Sequence, residues 1–531
     1  MKILDERKML HLTWTDSPLL IRGLVPRCFI RKNLIRMNRK DNLHRVRNRQ
    51  TPWDIIVIGG GATGVGCALD AASRGLVVLL LEQHDLGKGT SSRSTKLIHG
   101  GVRYLEQGNI SLVREALKER GTLLRNAPHV VHKQAFVVPC YSQWEKFYYG
   151  VGLKIYDLLS GKYSFGCSRI LSRSEVIGRL GTIRNDGLTG GILYYDGQFD
   201  DTRLLIDMAV TATGLGATVL NYARVLRLKE DESGRILGVE FSDELTGDKF
   251  TAAGKVVINA TGAFCDSIRS MHDPAQKPLV TLSQGIHLVF DRKFLWGDTA
   301  IMIPKTSDGR VLFCIPWHGH TLVGTTDTPI DHAMLEPKAL GAEIDFILET
   351  AGEYLDKTPS RSDILSVFAG IRPLVRSDAI KKTSSLSRSH LIEVDRAGMV
   401  TITGGKWTTY RRMAEETVDI ASQTAGLNAK ASKTADLAIK SARSSTTETR
   451  YLHPDLPYTV EDVINAVRKE LALTVEDVLA RRTRALFLDA RAAIEIAPRV
   501  AEIIALETEN TNYDAEQDIE NFRTIAKPYL G

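Results

Sequence analysis

Residues 53–82 read WDIIVIGGGATGVGCALDAASRGLVVLLLE, and this stretch decides the fold of the chain. Residues 54–58 form a short apolar run rich in β-branched side chains, which is typical of a buried parallel strand. Residues 65–74 have the small side chains of a helix that packs close to a sheet, and residues 77–81 form a second apolar strand that ends at Glu82. The stretch therefore predicts a strand–helix–strand unit.

Three glycines lie between the first strand and the helix in the pattern G-x-G-x-x-G. Gly59 permits a tight turn, Gly61 lets the backbone approach a pyrophosphate, and Gly64 lets the helix sit close to the strand. The N-terminal end of the helix can then hold the phosphates. Glu82, 23 residues after Gly59, can accept hydrogen bonds from both ribose hydroxyls. The unit predicts dinucleotide binding and leaves open whether the dinucleotide is FAD or NAD.

Composition and charge describe a soluble globular protein whose basic residues are concentrated at its start. The chain has 531 residues, of which 43% are hydrophobic and 25% charged, and its formal net charge is +6. Residues 1–50 hold 13 lysines and arginines against 4 acidic residues. The rest of the chain is close to neutral and gives no support for nucleic-acid binding. No apolar run reaches the roughly 18 residues of a spanning helix, and no secretory signal is predicted.

The six cysteines are scattered, without a C-x-x-C pair or a Cys/His cluster. This pattern predicts reduced thiols in a cytosolic compartment, with neither a disulfide framework nor a metal site. His318 and His320 lie between two predicted strands, which favours a hairpin turn over a pair of metal ligands.

The chain is predicted to have four parts. Residues 1–50 are predicted to be a disordered leader; a transit peptide and a true start at Met37 are the alternatives. Residues 51–425 form the main α/β domain, in which alternating strands at about 277–360 predict an antiparallel sheet. Residues 426–450 are rich in Ala, Ser, Thr and Lys and are predicted to be a linker. Residues 451–531 show helical periodicity and are predicted to form an α-helical domain.

Seven further segments follow the opening unit in a specific order. They are GKGTSSRSTKLIHGGVRYL (87–105), YYDGQFDD (194–201), VVINATGAF (256–264), DGRVLFCIPW (308–317), GTTDT (324–328), FAGIRPLV (368–375) and TGGKWTTYR (403–411). Together with the opening unit they resemble the FAD-dependent glycerol-3-phosphate dehydrogenases of the D-amino-acid-oxidase-like flavoprotein superfamily. The resemblance covers about residues 52–425, and the C-terminal part is similar as well.

The resemblance implies an α/β fold (α+β overall). Its parts are a Rossmann-like two-dinucleotide-binding FAD domain, an antiparallel β-sheet substrate domain and a C-terminal α-helical domain. It also implies non-covalent FAD as the cofactor. The residues implied to bind FAD are Gly59, Gly61, Ala62, Thr63, Gly64, Glu82, Ser91, Ser92, Ser94, Thr95, Lys96, His99, Gly100, Gly101, Val225, Ala260, Thr261, Gly262, Gly370, Gly405, Lys406 and Thr408.

Oxidation of a phosphorylated secondary alcohol needs a group that takes the hydroxyl proton and fixed positive charge around the phosphate. The resemblance places Arg103, Tyr104, Arg372, Arg388 and Lys406 around the substrate. A surface arginine is the alternative for Arg388. His287 is the candidate base, because a histidine with its ordinary pKa of about 6.5 can accept a proton near neutral pH; a buried core histidine is the alternative. The predicted catalytic set is His287, Arg372 and Lys406.

The resemblance implies oxidation of sn-glycerol 3-phosphate to dihydroxyacetone phosphate, with hydride transfer from C2 to flavin N5 and electrons passed to a membrane quinone. Residues 144–165 are rich in aromatic residues and lysines, which suits a bilayer interface, although a core helix is the alternative. The predicted location is peripheral, on the cytoplasmic face of the inner membrane, or cytoplasmic, and a homodimer is left open. The alternative functions are an oxygen-using oxidase of the same substrate, another hydroxy- or amino-acid oxidoreductase, and a flavin- or nucleotide-binding sensor.

Overall fold

The computed structural model describes residues 36–102, 105, 108–307, 309–376, 389–443, 450–508 and 512–531. The strand–helix–strand unit is present: β1 (Ile55–Ile58) and β2 (Val78–Leu81) are parallel neighbours joined by the helix Ala62–Ser73. Both strands are completely buried, in agreement with their apolar composition. The helix begins directly after Gly61, within the glycine pattern.

A six-stranded sheet surrounds this unit, with the strand order β18-β19-β11-β1-β2-β7. Its other strands are β7 (Thr218–Leu220), β11 (Val257–Asn259), β18 (His390–Val394) and β19 (Val400–Gly404). All its pairs are parallel except β18–β19. One face packs on the helices Ala62–Ser73, Asp201–Gly214 and Tyr410–Thr424. The other packs on an antiparallel sheet of β8 (Ala223–Glu230), β9 (Ile236–Asp243) and β10 (Lys249–Ala253).

A second large sheet has ten strands, in the order β16-β12-β15-β14-β13-β4-β6-β3, with β17 paired to β12 and β5 to β6. Its strands are β3 (Leu97–Ile98), β4 (Val131–Cys140), β5 (Arg169–Ser172), β6 (Gly190–Phe199), β12 (Val280–Asp291), β13 (Thr299–Ile303), β14 (Leu312–Trp317), β15 (His320–Gly324), β16 (Thr328–Ile330) and β17 (Ile364–Val375). The predicted range of about 277–360 covers part of this sheet, and β3 to β6 and β17 lie outside it. These strands belong to the sheet because they pair with strands that are distant in sequence. A local sequence pattern does not show such pairing.

The helices at the C-terminal end are Val460–Lys469, Ala485–Leu488, Ala490–Glu507 and Ala515–Ala526. Their buried side chains share one apolar core with the ten-stranded sheet, where Phe487 contacts Phe368. Further helices are Ile110–Asn126, Gln143–Ser160, Arg173–Leu180, Cys265–Arg269 and Gly341–Tyr354. Within the described ranges, no helix combines the length and apolar content needed to cross a bilayer.

Two segments predicted to be irregular are packed onto the protein. In the predicted leader, residues Arg39–Arg47 form a helix, and Arg39 pairs with Asp243 at 2.7 Å. In the predicted linker, Ile439 and Ala442 are buried, and the Ile439 amide donates to the carbonyl of Asn126 at 2.8 Å. Hydrogen bonds, an ion pair and a few buried apolar residues, including Val46 and Ile439, hold these segments, and their polar composition does not indicate this.

A buried ionic cluster joins the C-terminal part to the six-stranded sheet. The Asp85 carboxylate accepts hydrogen bonds from Arg481 Nε at 2.5 Å and from two nitrogens of Arg482 at 2.7 Å each. Arg481 also donates to Glu476 at 2.6 Å, and Lys88 Nζ donates to the same carboxylate. Burial raises the pKa of Asp85, but the two guanidinium groups outweigh burial and hold it below its usual value.

The structure describes five cysteines, all as free thiols. Cys167 is exposed, whereas Cys67, Cys140, Cys265 and Cys314 are buried. Burial raises the pKa of each of these four thiols.

Candidate active site

One continuous cavity of about 580 Å³ is lined by residues of both large sheets. From the six-stranded sheet it takes Ile58, Glu82, Ala260 and Gly404, which lie at the carboxyl ends of β1, β2, β11 and β19. The carboxyl edge of a parallel sheet is where α/β proteins bind ligands. From the ten-stranded sheet the lining includes Phe136, Tyr194, His287, Phe313 and Arg372.

Close contacts and backbone geometry require the glycines at the start of the helix Ala62–Ser73. A Cβ at Gly64 would lie 1.9 Å from the carbonyl oxygen of Gly59, so glycine lets the helix approach β1. Gly59 has φ of 110°, which favours glycine. The N-cap, Gly61, supplies no side-chain hydrogen bond to the helix, and the Ala62 amide donates to Ser91 Oγ at 2.9 Å. This end of the helix is suited to an anion.

Glu82 lies on the same side of the cavity. Its carboxylate accepts from the amides of Gly60 at 2.6 Å and His84 at 2.9 Å. Burial raises the pKa of Glu82, whereas these two backbone donors oppose the rise. Val225, predicted to contact the adenine, is buried and also lines the cavity. Glycines, helix end, carboxylate and a long cavity together fit a dinucleotide.

Most of the predicted FAD contacts line this cavity: Gly59, Gly61, Ala62, Thr63, Glu82, Ser91, Ser94, Thr95, His99, Gly101, Val225, Ala260, Thr261, Gly262, Gly370, Gly405, Lys406 and Thr408. Gly64 does not line it and acts through the helix–strand contact. Ser92, Lys96 and Gly100 also do not line it, and their contacts with FAD stay predictions. Lys96 Nζ donates to Asp201 and to the Ser92 carbonyl, and the Gly100 amide donates to Tyr156 Oη.

His287 lies on β12 and is almost completely buried at the edge of the cavity. Its Nε2 is 2.9 Å from Thr95 Oγ1, and its ring stacks on Phe368 with centroids 4.9 Å apart. Burial, followed by the positive charges of Lys96 and Arg372, lowers the pKa of His287 well below its ordinary value. This lowered pKa favours the neutral form of the ring, which is the form that can accept a proton.

Arg372 lies on β17, the strand that pairs with β12. Its guanidinium donates to Thr325 Oγ1 at 3.0 Å and to Asp327 Oδ1 at 3.3 Å, which fixes its orientation in the cavity wall. Gly285 lies beneath it, where a Cβ would approach Arg372 Nη2 to 2.2 Å. The pairing of β12 with β17 thus brings a fixed cation and a histidine into one cavity.

Lys406 follows Gly404 and Gly405 at the end of β19 and also lines the cavity. The structure therefore brings together the three predicted catalytic residues, His287, Arg372 and Lys406. Arg103, Tyr104 and Arg388 lie outside the described residues, so their predicted substrate contacts stay predictions.

Sequence reasoning missed several charged residues of the cavity wall. Arg310 and Asp327 line the cavity, but they entered the sequence analysis only within segments that carry the resemblance, without a role in the site. Arg93 also lines it, with its guanidinium bound to Glu336 at 2.7 Å and to the Ala369 carbonyl at 3.2 Å. Their membership of the segments DGRVLF, GTTDT and TSSRST was the only available signal, because an isolated arginine in a loop is usually at the surface.

Two family models match the chain. Residues 54–411 match the FAD dependent oxidoreductase model (DAO), and residues 399–517 match the C-terminal domain of alpha-glycerophosphate oxidase. The "Probable glycerol-3-phosphate dehydrogenase, mitochondrial" of Caenorhabditis elegans is 39% identical over 93% of this chain and 76% of its own length. The chain belongs to the FAD-dependent glycerol-3-phosphate dehydrogenase family. FAD is the cofactor of this flavoprotein, and the predicted fold class is confirmed.

Other relatives agree with this membership. The human "Glycerol-3-phosphate dehydrogenase, mitochondrial" is 38% identical over 90% of the flavoprotein and 74% of its own length. The structure of the Bacillus halodurans glycerol-3-phosphate dehydrogenase with FAD has a TM-score of 0.74 and 27% identity over 93% of this chain and 98% of that one. An L-alpha-glycerophosphate oxidase from Mycoplasma pneumoniae shares the fold, with a TM-score of 0.55, 17% identity and coverage of 72% and 97%.

Proposed function

We propose that the flavoprotein oxidises sn-glycerol 3-phosphate to dihydroxyacetone phosphate and passes the electrons to a membrane quinone. The observation that carries the proposal is the fixed Arg372 guanidinium in the same cavity as His287. An arginine held by two hydrogen bonds binds a phosphate dianion in a defined orientation. The names of the relatives point to the same substrate.

Five residues of the cavity have stated roles in this proposal. Arg372 and Lys406 bind the substrate phosphate, and His287 receives the proton of the C2 hydroxyl at Nε2. Bound FAD supplies the acceptor for the hydride that leaves C2. Apolar residues of the lining, including Phe136 and Phe313, exclude water from the reacting groups.

The substrate charge also acts on His287. Arg372 and Lys96 are two of the causes that lower its pKa. A phosphate dianion bound to Arg372 offsets that positive charge, and an anion stabilises the protonated ring. The pKa of His287 is therefore expected to rise when substrate binds, which makes the ring a better proton acceptor only in the complex.

The proposal is tested by mixing the purified holoenzyme anaerobically with glycerol 3-phosphate and following the visible absorbance of the oxidised flavin. We expect rapid bleaching, with reoxidation faster by a soluble quinone than by air. Bleaching that air reverses, with formation of peroxide, would indicate the oxidase instead. Bleaching only by an unphosphorylated hydroxy or amino acid would overturn the assigned substrate.

The same assay tests Arg372. Replacing it by methionine is expected to reduce kcat/KM for glycerol 3-phosphate by about 30- to 150-fold, because hydrogen bonds to a charged group contribute about 2–3 kcal/mol. Arg372→Lys keeps the charge without the paired donors and should recover only part of the loss. Arg227→Met, at an exposed position of β8, is the control. A normal kcat/KM in Arg372→Met would remove Arg372 from the substrate site.

The helix Gln143–Ser160 supports the membrane part of the proposal. Trp144, Phe147 and Leu158 on this helix are 69%, 62% and 81% exposed. On the same helix, Tyr149 lines the cavity. An apolar outer surface beside a partly apolar cavity suits a protein that rests on a bilayer and accepts a lipophilic quinone. The location on the cytoplasmic face of the inner membrane stays a prediction.

We expect Phe147→Ser combined with Leu158→Ser to weaken binding to phospholipid vesicles by about 30-fold. Full burial of such side chains contributes about 1.5–3 kcal/mol each, and interfacial burial about half of that. Vesicle co-sedimentation measures the effect. Leu506→Ser is the control, because Leu506 is equally apolar and 69% exposed, but lies on the C-terminal helix Ala490–Glu507. An equal loss of vesicle binding in both variants would show that the helix Gln143–Ser160 is not the bilayer contact.

A further inference from the structure

Only one nitrogen of the His287 imidazole, Nε2, has a hydrogen-bond partner among the described residues. Within the described part of the chain, its Nδ1 is buried and has no hydrogen-bond partner. Its Nε2 is 2.9 Å from Thr95 Oγ1, and Thr95 itself lines the cavity. Phe368 stacks on the ring, and a Cβ at Gly324 would lie 2.2 Å from its Cδ2. Thr95 Oγ1 therefore lies next to His287 Nε2, where a proton that comes from the cavity would reach the ring.

The hydroxyl is held in place by the residues on both sides of it. Lys96, the next residue, has φ of 63°, and its Nζ donates to Asp201 Oδ2 at 2.6 Å and to the Ser92 carbonyl at 2.7 Å. Ser94 Oγ donates to the same Asp201 oxygen at 2.7 Å. Both members of the Lys96–Asp201 pair are fully buried. The loop that carries Thr95 is thus anchored before and after it.

The C-terminal part adds a third anchor. Arg484 donates to the Ser92 carbonyl at 2.7 Å and to Thr202 Oγ1 at 2.5 Å. Its guanidinium lies 4.1 Å from the centroid of Phe487. Because Arg484 is itself almost fully buried, this contact keeps the loop from moving away from His287.

We propose that Thr95 is a catalytic residue that relays the substrate proton to His287. Thr95 Oγ1 accepts the proton of the C2 hydroxyl while its own hydrogen passes to His287 Nε2. One O–H bond of the substrate breaks, one N–H bond forms, and the threonine ends with the same number of protons. The relay deepens the proposed function and depends on it, because the alcohol must be the group that is oxidised.

The test compares anaerobic flavin reduction over a range of glycerol 3-phosphate concentrations up to saturation in the wild-type holoenzyme, Thr95→Val and Thr95→Ser. Valine has the same shape without the hydroxyl, so we expect a reduction rate about 100-fold lower, with KM changed less than about threefold. Serine keeps the hydroxyl and is expected to restore most of the lost rate. Equal rates in the wild type and Thr95→Val, or equally slow valine and serine variants, would overturn the relay.

A double-mutant comparison separates the relay from a loss of FAD or of folding. If Thr95 and His287 act as one unit, Thr95→Val has almost no further effect on the rate in a His287→Gln background. Independent, multiplying losses in the FAD-loaded variants would contradict the relay. Failure of wild-type reduction by glycerol 3-phosphate would instead overturn the proposed function, which distinguishes the two failures.

Discussion

Replacing Gly64 by alanine is expected to weaken FAD binding strongly and to lower the activity with it. The added Cβ would lie 1.9 Å from the carbonyl oxygen of Gly59, and neither atom can turn away because both belong directly to the backbone. The helix Ala62–Ser73 would have to move away from β1, at a cost of about 1–3 kcal/mol. That movement takes its N-terminal end away from the pyrophosphate, so FAD affinity should fall at least about 100-fold, or about 2.8 kcal/mol.

The FAD content of the purified variant and titration of the apoprotein with FAD measure this effect. Gly178→Ala is the matched control, because a Cβ at Gly178 meets nothing within 4 Å. Gly178 lies in the helix Arg173–Leu180, where alanine is expected to be neutral or to stabilise by up to about 1 kcal/mol. A Gly64→Ala protein with full FAD content would contradict the close helix–strand contact.

Asp85→Ala is expected to lower the free energy of unfolding of the holoenzyme by about 3–5 kcal/mol. Asp85 is fully buried and accepts three hydrogen bonds from Arg481 and Arg482. Alanine would leave two buried guanidinium groups with less negative charge beside them. The loss should therefore exceed that of an ordinary polar substitution.

Urea unfolding followed by circular dichroism measures the change. The control is Asp345→Ala, which removes one partner of the Asp345–Arg361 pair, whose side chains are 53% and 51% exposed. An exposed pair contributes about 0–1 kcal/mol, so this variant should unfold close to the wild type. If the free energy of unfolding falls by the same small amount in both variants, the cluster around Asp85 does not stabilise the junction between the C-terminal part and the six-stranded sheet.

The opening unit could be predicted from sequence because all of its determinants are local. Its strands, glycines and Glu82 lie within 30 residues, and each is required by backbone geometry. His287 and Arg372 are different, since they meet only through the β12–β17 ladder between segments far apart in sequence. The resemblance identified them, but composition and periodicity could not have placed them in one cavity.

The parts that were missed depend on tertiary context. Residues 481–484, RRTR, have the appearance of an exposed helical surface, yet Arg481, Arg482 and Arg484 are buried by Asp85, Glu476 and the loop at Ser92. Buried arginines need partners; Glu476 is close to Arg481 in sequence, but Asp85 is almost 400 residues away. No local sequence pattern contains that information.

Cys167 is an exposed thiol that can be labelled chemically, and it lies next to a residue that contacts the helix Gln143–Ser160. The thiolate is the reactive form of cysteine, so the four buried thiols with raised pKa react slowly while Cys167 is accessible. The next residue, Ser168, donates through Oγ to Asp157 of the helix Gln143–Ser160 at 2.6 Å. With Cys28 replaced, an environment-sensitive fluorophore on Cys167 would change its emission when this helix meets lipid, and would report docking in real time.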